Sequence, residues 1–278
     1  MNWHKIIAIV KKDLLEVKQN KAAWVPMIVA PLILIVLFPV LMLVLPNYIP
    51  SMADEFINDP DLDAMFANLP ASMASAVEGL APMQSVAVMM LGYMFAPMFL
   101  IFPLMFSTVV AAESFAGERE RKTMEALLYT SATESELFWG KVITGMVPAL
   151  VISWGSFILY AVVLNTVGYP LFGRIWFPLP SWYPLIFWIT PAVALLGVAF
   201  TVLISSKTQT FMGAYQSSSA LVILVLGLMI GQLAGVIYLT VGLSMLIGLV
   251  FWIISGTLAW LAMRNFKRSS LLLGLKGA

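Results

Sequence analysis

The chain has 278 residues, 61% hydrophobic and only 10% charged, with a net charge of +1 and a mean hydropathy of +0.96. Soluble domains carry roughly a quarter charged residues, so a water-soluble fold of this length has nowhere to hide so much apolar side chain, and lipid is its expected solvent. With no cysteine and a single histidine, His4, disulfide frameworks, thiolate chemistry and histidine-rich metal sites are excluded.

The first predicted element is an amphipathic helix in residues 1–22. Trp3, Ile6, Ile7, Val10, Leu14 and Val17 recur at helical spacing, while Lys5, Lys12, Glu16 and Gln19 fall on another face. No soluble core exists to cover that stripe, so the helix is expected to lie in the membrane interface with its lysines reaching towards phosphates. Residues 24–45 follow without a charge, enough at about 1.5 Å per residue to cross a hydrocarbon layer of about 30 Å. The charged stretch before this run is too long for a signal peptide, and no small-residue cleavage site follows it.

Residues 46–85 form a polar loop with six carboxylates (Asp54, Glu55, Asp59, Asp61, Asp63 and Glu78) and no Lys or Arg. Further spans are expected at about 86–112, 142–166, 183–205, 211–231 and 237–263, giving six in a single all-α membrane domain. The last two are cut from one long apolar stretch at a break marked by Gly227, Gly231 and Gly235. Their four-residue spacing also suits close helix packing, but a re-entrant break is favoured. Trp176, Trp182, Tyr183 and Trp188 read as an interfacial aromatic belt.

Orientation follows from the basic residues, which stay on the cytoplasmic side of span ends. With the N-terminus inside, fourteen of the fifteen Lys and Arg residues are cytoplasmic, and only Arg174 is outside. Both termini are therefore expected in the cytoplasm, and the acidic loop 46–85 outside. Within the spans, Met90, Met94 and Met98 could line a cavity for apolar cargo, with ordinary helix packing the stronger reading. Gln216 and Ser217 could face a substrate path or bond neighbouring helices.

The charged segment 113–141 carries the most information. From Glu118 the sequence favours a helix, with Glu118–Lys122 and Arg121–Glu125 pairs at i,i+4 and an apolar ridge of Met124, Leu127 and Leu128. Thr133 and Glu136 read as a capping box that opens the next helix. The order of residues closely resembles the loop between spans two and three of ABC-2 type transporter permeases. Glu113, Ala116, Gly117, Glu118, Arg119, Glu120, Thr123, Glu125, Leu127, Leu128, Gly140 and Lys141 all match that pattern at fixed spacing. Lys122 stands where the family usually has Gly, and Ser131 where Pro is common.

The resemblance implies a type V exporter-like permease whose loop is a coupling helix seated in a separate ATPase subunit. Glu113, Gly117, Glu118, Arg119, Glu120, Arg121, Thr123, Glu125, Leu127, Leu128, Gly140 and Lys141 would then be its ATPase-coupling residues. It further implies a second permease chain, surrounding membrane lipid and a place in the inner (plasma) membrane. No nucleotide loop G-x-x-x-x-G-K-[ST] is present, so no cofactor is expected on this chain, and ATP and magnesium belong to the partner. No feature suggests a nucleic-acid partner. An amphiphilic or hydrophobic export cargo is favoured, with sodium-type ion efflux as the alternative. An ATP-independent secondary transporter is disfavoured, because no ionisable residue falls at a predicted midplane position. An intramembrane enzyme is disfavoured too, since H-E-x-x-H and G-x-S-x-G are both missing.

Overall fold

A computed structural model describes residues 2–19, 31–49, 60–67, 69–123, 132–208 and 210–266, together with residues 25, 28, 29, 51, 57 and 58. The described residues contain helices and no strand. A strand in lipid would need a closed barrel to satisfy its edges, whereas each helix satisfies its own backbone, so runs of this apolar content settle as helices. We label them α1 (Trp3–Gln19), α2 (Phe38–Tyr48), α3 (Pro60–Ala67), α4 (Ala71–Val77), α5 (Pro82–Glu120), α6 (Glu134–Phe172), α7 (Trp182–Ser205), α8 (Phe211–Leu233) and α9 (Val241–Asn265).

Five of these, α5 to α9, are long and apolar enough to cross a membrane. Where the sequence suggests a sixth, at 24–45, the described residues show a shorter apolar helix, Ile33–Pro46, and most of 20–30 lies outside them. The helices overrun the apolar runs that predict them. α5 and α6 each have 39 residues, roughly 58 Å at the helical rise and about twice a hydrocarbon layer. Their polar ends therefore project beyond any bilayer that their apolar centres fill.

α5 and α7 form the centre of the bundle and are mostly buried, while α6, α8 and α9 turn most of their surface outward. Small residues let the central helices approach. A side chain at Gly197 would collide with Ser107 on α5, and one at Gly145 with Val198 on α7. The break after α8 falls at residues 234–240, with Gly235 at φ +70°, so Gly235 marks it while Gly227 and Gly231 lie within a continuous helix.

α5 is not a regular helix. Residues Val88–Met94 form a π-turn, and Pro97–Leu100 a 3₁₀ turn. The N–H of Phe95 donates to the Met90 carbonyl, that of Ala96 to Tyr93, and Pro97 has none to give, so the Leu91 and Gly92 carbonyls lose their usual backbone donors. Side chains replace them: Tyr160 Oη on α6 donates to Leu91 O at 2.8 Å, and Trp182 Nε1 on α7 to Gly92 O at 2.5 Å. Gln232 Nε2 on α8 donates to Tyr93 O at 2.7 Å. Trp182 is thus fully buried among Phe99, Tyr160 and Phe177 rather than part of an interfacial belt. Its indole is needed inside because a bare carbonyl in lipid is costly.

Candidate functional site

The polar ends of α5 and α6 meet α1 in a cluster of seven charged side chains. It begins with the packed face of α1, on which Ile6, Ile9, Asp13 and Val17 are buried at spacings of three and four residues. Val10 and Leu14 of the predicted stripe are half-buried, and Trp3 and Ile7 are exposed. The apolar face therefore packs mainly on α6, against Gly140. A Cβ at Gly140 would lie 3.0 Å from Ile9 Cγ2, so only glycine admits α1 this closely. Contact at Gly140 brings Asp13 over Lys141.

Lys141 is completely buried and is held on every side. Its Nζ donates to Ser114 O at 2.6 Å, Ser114 Oγ at 3.1 Å, Glu118 Oε2 at 2.6 Å and Asp13 Oδ2 at 3.3 Å. Ser114 Oγ in turn donates to Asp13 Oδ2 at 2.5 Å. The Phe115 ring lies 5.3 Å from the ammonium. An ammonium cut off from water is tolerated only with such complete pairing.

Glu118, also without exposure, bridges two lysines. Its other oxygen pairs with Lys12, which also reaches Glu16 at 3.0 Å and Asp13 at 3.3 Å. Arg121 closes the far side, with Nη1 2.7 Å from Glu113 Oε1 and Nη2 3.7 Å from Glu16 Oε2. Gly117 makes room for that pair: a Cβ there would lie 3.1 Å from Glu113 Oε2. Burial works against the Lys12 ammonium, but the hydrogen bond and charge of Glu118, with Asp13 and Glu16, outweigh it and raise its pKa above the ordinary lysine value. Arg121 is likewise opposed by burial and raised by Glu113, Glu16 and Glu118. Asp13, Glu16 and Glu118 carry oxygens close enough to share a metal ion, but Lys12 Nζ already pairs with all three.

The helix predicted to run on from Glu118 instead stops at Glu120. Thr123 N donates to Glu118 O at 2.9 Å and Lys122 N to Arg119 O at 3.0 Å, the two bonds of a Schellman cap. Lys122 occupies the left-handed position of that cap at φ +58°, where glycine is unstrained. The predicted Glu118–Lys122 pair does not form, because Glu118 turns inward to Lys12 and Lys141; Arg121 reaches Glu113 and Glu16, and its predicted partner Glu125 lies outside the described residues. Glu125, Leu127 and Leu128 lie outside the described residues, and Thr123 is exposed at their edge. The capping box at Thr133 and Glu136 is present, with Glu136 N donating to Thr133 Oγ1 and Thr133 N to Glu136 Oε2. Glu136 also accepts from Asn2 N at 2.6 Å, tying the start of α1 to the start of α6.

Of the residues read as pathway candidates, Met94 is buried in the core, and Met90 and Met98 are half-buried against it. Gln216 and Ser217 are exposed on α8, so the two groups do not meet. Sequence reading missed Asp13, Lys12, Glu16 and Ser114 as members of the cluster. The one signal was Asp13, a carboxylate on the apolar face of α1, which requires a buried cation opposite.

Fold and site together define a multi-pass helical membrane protein whose first helix is ion-paired to the loop joining two of its longest helices. The chain belongs to the ABC-2 family transporter proteins, whose pattern matches residues 7–272. It is an ABC-2 type permease, a membrane transport component and not itself catalytic, and the family implies a partner ATPase subunit. No curated relative and no solved structure matches it.

Proposed function

We propose that this chain forms the export pathway of an ABC transporter and that segment 113–141 receives the stroke of the separate ATPase. One observation carries the reading. The segment is fastened near both ends by charge, through Glu118 and Arg121 on one side and the buried Lys141 on the other, to α1, α5 and α6 at once. A push on such a loop displaces three elements as a rigid unit, since parting Lys141 from Glu118 and Asp13 would strand charges away from water. ATP and magnesium stay on the partner.

The charged end faces the cytoplasm in this reading, because the basic residues gather there. α1 lies at the membrane interface, with Trp3, Ile7 and Lys11 on its outward face. Two permease chains pair in the plasma membrane, and the exposed Gln216 and Ser217 support a shared pathway, since polar side chains on a membrane-length helix are poorly placed against lipid. The cargo is an amphiphile or hydrophobic molecule: among the described residues, the charges on the membrane-length helices lie near their ends, leaving apolar centres.

The test is co-expression with candidate ATPase subunits and co-purification, comparing the unsubstituted chain with a Glu125→Lys/Leu128→Asp variant. Retention by the first and loss by the second supports the coupling role, and absence of any bound ATPase from the first refutes it. ATP-dependent uptake of a fluorescent amphiphile into inverted vesicles tests the cargo, and uptake of inorganic ions alone would replace it with ion efflux.

A further inference from the structure

Two consecutive side chains at the end of α5 close the helix ends of two other membrane-length helices. Arg119 Nη1 donates to Ser205 O at 2.7 Å and Thr208 O at 3.4 Å, at the C-terminus of α7. Glu120 Oε2 accepts from Phe211 N at 2.8 Å, at the N-terminus of α8. A helix leaves its last carbonyls and first N–H groups unpaired, with negative and positive partial charge respectively. Here a cation sits on the first and an anion on the second. Thr210 completes the start of α8 by accepting from Gly213 N at 3.1 Å.

We propose that Arg119 and Glu120 are positioning residues that clamp the α7–α8 turn to the end of α5. Any displacement of that end is thereby passed to α8. The clamp is intramolecular: it turns the Arg119-Glu120 pair away from a docking partner and towards the membrane helices. Both residues follow Glu118 directly, so the buried ion cluster and the clamp move as one body. Gln216 lies six residues beyond Thr210, about 9 Å along the helix, so the exposed polar face of α8 is the first membrane surface the clamp would steer. Only this last link, from ATPase to α8, rests on the coupling role proposed above.

The chain has no cysteine, so nitroxide labels can be placed without first removing any. One label pair at Met212→Cys and Val151→Cys reports α8 against α6, and a control pair at Ile7→Cys and Val151→Cys reports α1 against α6; all three positions are exposed. In the full chain in lipid nanodiscs, Arg119→Ala and Glu120→Ala are expected to broaden the first distance distribution roughly twofold and leave the control unchanged. Arg119→Lys and Glu120→Gln, which keep a donor and an acceptor, should restore most of the narrowness. An unchanged first pair, or equal broadening of both pairs, overturns the clamp.

A second arm adds the ATPase subunit and ATP. The Met212–Val151 distance is expected to shift in the otherwise unsubstituted chain and to lose that shift in Glu120→Ala with the ATPase still bound. A shift that survives Glu120→Ala overturns the transmission role. If no ATPase binds, the coupling reading fails, while the nanodisc arm still decides the clamp.

Discussion

Lys141 Nζ and Glu118 Oε2 lie 2.6 Å apart with neither side chain reaching solvent, joining the start of α6 to the end of α5. Removing one partner of a buried pair leaves the other charged and uncompensated, which costs about 3–5 kcal/mol. Lys141→Met is therefore expected to destabilise the chain by that amount. Lys12→Met should cost clearly less, because Lys12 is 38% exposed and water can replace it beside Glu16. Denaturation midpoints in detergent, with equal slopes for all variants, check the order. Equal losses for the two lysines would show that Lys141 is not the centre of the cluster.

The left-handed Lys122 gives a prediction of opposite sign. A non-glycine residue at this conformation costs roughly 1 kcal/mol or more, partly offset by the greater chain freedom that glycine brings to the unfolded state. Lys122→Gly should raise stability by up to about 1 kcal/mol, and Lys122→Val, branched at Cβ, should lower it. Lys122 makes no side-chain contact in the ion cluster, so the thermal midpoint of each variant reports the backbone effect directly.

Much of this was legible in advance, for reasons visible in particular residues. Apolar runs fixed the membrane-length helices, because a charge in lipid is costly wherever it falls, and Thr133 with Glu136 announced the start of α6 through a local cap. At Lys122 the resemblance leads one to expect Gly, and the φ of +58° gives that expectation a physical reason. What the sequence hid was pairing across long separations. Glu118 has a lysine four residues on, yet pairs instead with Lys12, more than a hundred residues earlier, and with Lys141. Local spacing cannot anticipate that choice, which depends on where Gly140 lets α1 dock.

The docking of α1 at Gly140 is itself open to test. A methyl group added there meets Ile9 Cγ2 at 3.0 Å and Cβ at 3.2 Å, so α1 must move or Ile9 must yield. Gly140→Ala is expected to cost about 1–3 kcal/mol, as for other overpacked contacts. Combined with Ile9→Ala, which empties the same space, the loss should be smaller than the sum of the single changes, since the two sites share one contact. Strict additivity in the denaturation midpoints would mean that α1 is held by its charges and not by this fit.

The irregular turn of α5 yields the last prediction. Leu91, Gly92 and Tyr93 present successive carbonyls to side chains from three different helices, at 2.8, 2.5 and 2.7 Å. Tyr93 O also accepts from Ala96 N, so losing Gln232 leaves it one partner, whereas Leu91 and Gly92 depend on Tyr160 and Trp182. Tyr160→Phe keeps the ring packing and removes only the donor, and is expected to cost about 1–2 kcal/mol, a typical penalty for stranding one buried group. Gln232→Leu should cost less, about 0.6 kcal/mol, in line with helix–helix hydrogen bonds in membrane proteins. Thermal unfolding in one detergent ranks the two. A larger loss from Gln232→Leu would mean that the tie between α5 and α8, rather than the bare carbonyl, holds this turn in place.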